Sequence, residues 1–158
     1  MFDHECLGDS ASQRSCQASR TSAVKGVTTV TSDKFFAGLI AAIRTIKDDE
    51  DASPYSRLTA NRVSLNRAFY QAITGPKGEF VDRKQLAIDY DPLYGVSPWF
   101  ERALTRAQRD LLISFPNPTY SVVEIKLKKD QAERLLERTG QREEFTQLAQ
   151  AFIDNMKT

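Results

Sequence analysis

Three residues carry an arrangement suited to metal-assisted hydrolysis: Asp110, Glu124 and Lys126. Two carboxylates can hold Mg²⁺ while a nearby lysine orients or activates the attacking water. A plain solvent-facing pair on a strand is the other reading of Glu124-Ile125-Lys126, and helical periodicity still runs through Asp110. A second set is cationic. Arg102, Arg106 and Arg109 fall opposite an apolar stripe of Phe100, Ala103, Leu104, Ala107 and Leu111, beside Thr105 and Gln108. Arginines on one helix face suit phosphate oxygens or guanine edges, although each taken singly is equally a solvated helix face. Other chemistry is scarce. The single histidine, His4, excludes histidine-dependent triads and histidine metal sites. Gly75-Pro76-Lys77-Gly78 lacks the spacing of a phosphate-binding loop and reads as a helix stop. The run Asp48-Asp49-Glu50-Asp51 lacks the alternating ligands and glycine of a calcium loop and reads as a solvated linker. No cofactor is expected.

The elements that must position these residues follow from periodicity. Phe35, Phe36, Leu39, Ile40, Ile43 and Ile46 recur at helical spacing from Ser32, and the helix is expected to stop near 45–47, before the acidic run. A connection is expected at 54–59. A second helix over 61–74 would bury Leu65, Phe69, Ala72 and Ile73 and expose Arg62, Asn66 and Arg67. Glu79-Phe80-Val81 reads as a short extended piece, with Asp82 capping a helix over 83–89. Asp91-Pro92-Leu93-Tyr94-Gly95 makes a turn. Ser97 then caps a helix over 97–112, with Pro98 at its first position and Glu101 in its first turn. Strands follow at 112–115 and 119–127, joined by a turn at Asn117-Pro118, with Ser121, Val123, Ile125 and Leu127 on one side. The chain closes with helices over 130–139 and 142–156, broken at Thr139-Gly140.

At 158 residues, 41% hydrophobic and 27% charged, the chain has an ordinary soluble composition and length enough for one core. Cys6 and Cys16 lie in a polar stretch and are expected as free thiols in a reducing cytoplasm. No membrane span or secretory leader is expected. The net charge of +1 is not that of a strongly basic nucleic-acid binder, but it is unevenly spread. Residues 1–53 hold six Lys/Arg against eight Asp/Glu, residues 54–129 twelve against seven, and residues 130–158 four against six. The positive excess lies on the middle segment, as a phosphate-binding face requires.

The succession of short helix, turn, amphipathic helix and strand pair resembles winged helix-turn-helix transcriptional regulators. Lys84, Leu86, Ala87, Gly95, Val96, Ser97, Arg102, Ala103, Leu104, Leu112 and Ile113 carry the likeness, over about 50 of 158 residues. Seven residues separate Ala87 from Gly95, a longer turn than the family's, and Asp110-Leu111 replaces its glycine before the wing. The resemblance implies a mainly α fold with a small β-hairpin wing and extra N- and C-terminal helices: a winged helix-turn-helix that binds double-stranded DNA. It places the 97–112 helix in the major groove, with Ser97, Trp99, Arg102 and Arg106 nearest the bases. Lys77, Arg83 and Lys84 would touch phosphates, and Lys126 or the Asn117 turn would lie along the neighbouring groove. For Trp99, core or interface packing competes with a role as a DNA wedge.

The expected organisation is a flexible tail over 1–31, whose Arg14, Arg20 and Lys25 form either a basic arm or a solvated tail. A winged-helix domain over 32–128 and a helical segment over 129–158 follow. The last segment's stripe of Phe145, Leu148, Ala149, Phe152, Ile153 and Met156 would pack on Phe35, Leu39 and Ile43 or pair with a second copy of the chain; the two can coexist in an intertwined dimer, and a homodimer through the terminal helices is expected. Transcriptional regulation is the expected use, with plasmid or phage replication or partition behind it. Two other classes stay open: a Mg-dependent nuclease of restriction type built on Asp110, Glu124 and Lys126, and a non-enzymatic protein-interaction module.

Overall fold

The computed structural model describes residues 30–47, 56–116, 119 and 121–158. The expectations placed on His4, Cys6, Cys16, the basic arm, the 48–51 run and Asn117 therefore lie outside the described residues. The elements are α1 (Ser32–Ile46), β1 (Ser56–Thr59), α2 (Arg62–Thr74), a 3-10 turn (Pro76–Gly78), α3 (Arg83–Leu86), α4 (Pro98–Arg109), β2 (Ile113–Ser114), β3 (Val122–Ile125), α5 (Lys129–Thr139) and α6 (Arg142–Met156). The fold is mainly helical, with a small antiparallel sheet in the order β1-β3-β2.

α1 runs through the middle of the core. Phe35, Phe36, Leu39, Ile40 and Ile43 are all buried, as their 3.6-residue recurrence requires. Around it lie α4, α5 and α6, and α6 also packs on α2. Gly38 lets α1 and α6 approach closely: a Cβ there would sit 3.0 Å from two ring carbons of Phe145. Arg44, buried near the end of α1, donates from Nε to the carbonyl of Leu127 at 3.0 Å. A charged hydrogen bond to main chain thereby fixes the exit of β3.

The stripe on α6 is consumed within one chain. Phe145, Leu148, Ala149, Phe152 and Ile153 are buried, and the Phe145 ring lies 5.7 Å from that of Phe35. The expected packing of this stripe against α1 is therefore observed within the chain. Gly140, at φ +67°, supplies the left-handed residue that ends α5 and begins the reversal into α6.

Several local expectations are corrected. Residues 56–59 form a strand rather than a simple connection: Ser56 and Leu58 point inward, and β1 pairs with β3 from Ser56↔Ile125 to Thr59↔Val122. A four-residue strand beside a proline gives too short an alternation to read without its partner. Residues 79–81 are a turn, closed by the Val81 amide on the Gly78 carbonyl at 3.0 Å. α3 is a single turn ending at Leu86, because Ala87 adopts a left-handed conformation at φ 55°. β3 is shorter than 119–127, and the described part of its hairpin partner is only Ile113–Ser114. Asn66, expected on the exposed face of α2, is fully buried.

Candidate nucleic-acid interface

α4 is built on one side and open on the other. Trp99, Phe100, Ala103, Leu104 and Ala107 are buried, while Arg102, Thr105, Arg106, Gln108 and Arg109 are exposed. An aromatic cluster sets the depth of the buried face. Phe100 stacks on Phe69 at 4.4 Å between centroids, and Trp99 stacks on the same ring at 5.6 Å. Trp99 also meets Phe35 and Phe36 at 5.9 and 6.2 Å, so its ring belongs to the core rather than to a surface wedge.

The start of α4 is pinned by polar groups. The Ser97 hydroxyl accepts the Phe100 amide at 3.2 Å, and Asp89 accepts the Trp99 amide at 3.2 Å. Asn66 is the hub. Its Oδ1 accepts the Ser97 amide at 2.8 Å, and its Nδ2 donates to Glu101 at 2.6 Å. Arg62 donates from Nε to both Glu101 oxygens at 2.8 Å and also engages that carboxylate through a terminal nitrogen. The same guanidinium lies 5.4 Å from the centre of the Phe115 ring. Ser97, itself fully buried, is thus a cap inside the protein and not a group open to DNA. Sequence reasoning missed this hub. Its only trace is that Asn66 stands three residues before Phe69 and seven before Ile73, on the flank of the buried stripe of α2.

Two α4 arginines have acidic neighbours. Arg106 pairs with Asp33 at 3.0 Å and Arg109 with Asp110 at 3.7 Å, and all four side chains are at least half exposed. Exposed pairs contribute at most about 1 kcal/mol, so these guanidiniums can exchange carboxylate for phosphate at little cost. Arg102 has no ion-pair partner among the described residues. Leu86 of α3 lines one cleft with Trp99, Arg102 and Arg106, which sets exposed Arg83 and Lys84 on an element adjoining α4.

The other expected contacts lie elsewhere. Lys77 donates to Gln147 of α6 at 3.2 Å. Lys126 donates to Glu124 at 2.6 Å, and Arg57 of β1 donates to the other oxygen of that carboxylate at 3.1 Å. The buried Glu124 thus joins two cations on the central strand. Asp110 lines the α1–α4 cleft, whose lining does not include Glu124. Among the described residues no group of three metal-ligating side chains occurs.

Both paired glutamates titrate below the usual carboxylate value of 4.5. For Glu101, burial pushes the other way but is outweighed by hydrogen bonds from Arg62 and Asn66 and by the Arg62 charge. For Glu124, the Lys126 hydrogen bond leads and the Arg57 contact adds to it, against burial. A carboxyl whose folded pKa is depressed contributes stability that is complete above its unfolded value and lost as pH falls through the folded one. Thermal stability is therefore expected to decline as pH drops below about 4.5. Melting curves followed by circular dichroism should show a shallower acid slope for Glu101→Gln and Glu124→Gln combined than for the wild type. An unchanged slope would contradict the assignment.

The chain matches no protein-family model, no curated protein and no solved structure. Among the described residues no helix is long and apolar enough to cross a membrane.

Proposed function

We propose that this chain is a double-stranded DNA-binding protein of winged helix-turn-helix type, with α4 laid in the major groove and the 113–125 strand pair beside it. The observation that carries the reading is the one-sided construction of α4. Its inner face is locked to α2 by aromatic stacking and to α1 by edge-on ring contacts, its N-terminus is fixed by Asn66 and Asp89, and its outer face offers three arginines, Thr105 and Gln108. A rigid helix with an exposed cationic face suits base-edge and phosphate contact together. Arg102 and Arg106 are the proposed base readers, with Arg109, Arg83 and Lys84 on phosphates. Lys77 and Lys126 are peripheral to that set. Regulation of transcription is the proposed use, ahead of replication or partition of a plasmid or phage.

Fluorescence anisotropy with labelled duplex DNA across a salt series tests this. Affinity is expected to fall with salt. Arg102→Ala with Arg106→Ala should weaken binding about 10- to 100-fold and, where both touch phosphate, reduce the log–log salt slope by about 2. Equal affinity and slope in the double variant would contradict the reading, and Mg²⁺-dependent cleavage abolished by Glu124→Gln would replace it with the nuclease.

A protein-interaction module is the second reading, favoured by one observation. Asp91 Oδ1 accepts the amides of Leu93 and Tyr94 at 2.9 and 3.3 Å, and the turn is closed by the Asp91 amide on the Val96 carbonyl at 2.7 Å. That held turn leaves Leu93 82% and Tyr94 70% exposed. Ordered, exposed apolar side chains are common at protein contacts. Absence of DNA binding at low salt, with recovery of a partner through these two residues, would favour this reading.

A further inference from the structure

We propose that the groove between α1, α3, α6 and the 79–82 turn binds a small apolar cation, one compact ring system carrying an ammonium group. The groove has a volume of about 310 Å³, within the roughly 300–1,000 Å³ in which proteins hold small ligands. Its lining is mainly apolar. Phe35 and Phe145 are buried with their rings 5.7 Å apart, and the half-buried Phe80 meets Phe145 edge-on at 5.3 Å. Leu86 of α3 lines the groove beside them. Such a lining takes a ring out of water, and aromatic faces attract a cation in preference to an anion. Charge makes the same choice. The charged lining residues are Glu79 and Asp82, joined by the amides Gln85 and Gln141, and among the described residues no lysine or arginine lines the groove. Arg83 and Lys84 follow Asp82 on α3 but are exposed and outside the lining. Neither carboxylate has an ion-pair partner among the described residues. Asp82 Oδ1 accepts the amides of Lys84 and Gln85 at 3.1 Å, so the start of α3 holds that carboxylate in place. Two unpaired carboxylates beside an aromatic wall make a site that a ligand ammonium completes and a ligand carboxylate does not. None of Arg102, Arg106 and Arg109 lines the groove, so the site neither needs nor tests the DNA-binding reading.

Isothermal titration calorimetry of the full chain tests the site without DNA. The probes are 2-naphthylmethylammonium, the neutral 2-naphthylmethanol and the anionic 2-naphthoate. The cation should bind about tenfold tighter than the alcohol, with the naphthoate weakest, and its advantage should shrink as salt rises. Glu79→Gln combined with Asp82→Asn should bring cation and alcohol to equal affinity. Asparagine still caps α3 and Glu79 is exposed, so this double variant keeps its fold. Backbone amide shifts of the ¹⁵N-labelled chain should move around Phe80, Leu86 and Gln141 when the cation is added. Equal affinity for cation and alcohol in the wild type, or a cation preference that survives the double substitution, would overturn the proposal. So would shifts centred away from this groove, or no binding by any of the three probes.

Discussion

Phe100→Ala is expected to destabilise the fold by about 3–5 kcal/mol, the usual loss when a fully buried phenyl ring is truncated. Phe100 is 2% exposed and joins three helices to α4. It stacks on Phe69 at 4.4 Å, meets Phe36 edge-on at 5.7 Å and lies 6.3 Å from Phe152. Removing the ring opens a cavity that rigid neighbours on α1, α2 and α6 cannot close together. It also forfeits aromatic pairing worth about 0.5–1.5 kcal/mol beyond area burial. For a chain of this length the midpoint of thermal unfolding should fall by roughly 6–20 °C. Urea unfolding monitored by circular dichroism gives the number directly. Phe100→Leu, which keeps most of the volume, should lose clearly less. Near-equal stability of Phe100→Ala and wild type would mean that α4 is not anchored through this ring.

Asn66→Ala is the second large effect, at about 2–4 kcal/mol, and its cause is polar. The variant loses a hydrogen bond to the Glu101 carboxylate and leaves the buried Ser97 amide without an acceptor. Each loss costs about 1–3 kcal/mol, and because one side chain serves both they do not simply add. Asn66→Leu conserves volume and makes neither bond, so it should be no better than alanine. Asn66→Asp keeps an acceptor for Ser97 but sets a second carboxylate against Glu101. Its deficit should therefore shrink as pH falls toward 4 and one of the two acids takes up a proton. A mild, pH-independent loss in all three variants would show that the network does not hold the start of α4.

How much of this was legible in the sequence follows from which signals are local. α1, α2, α4 and α6 could be read because each carries a run of apolar residues at 3.6-residue spacing, and Ser97-Pro98 and Thr139-Gly140 mark termini by chemistry that needs no partner. β1 could not, since four residues between 55 and 60 become a strand only by pairing with Val122–Ile125. α3 failed for a similar reason: nothing in the types of Arg83 to Asp89 foretells the left-handed turn at Ala87. The arginine face of α4 was visible as a face, but its neighbours were not. The partner of Arg106 is Asp33, 73 residues away, and the partner of Glu101 is Arg62, 39 residues away. Ser97 and Trp99 were placed on the candidate site by position along a helix. Their burial depends on how deeply that helix sits against α1 and α2, a tertiary quantity with no local signature.

Backbone amide shifts of the ¹⁵N-labelled chain, titrated with a duplex DNA it binds, test the central claim most directly. The account predicts that the largest perturbations map to α4 and α3, around Arg102, Arg106, Arg109, Arg83 and Lys84, with α5 and α6 unmoved. Perturbations centred on 91–94 and absent from α4, or no change at low salt with any duplex tried, would contradict it.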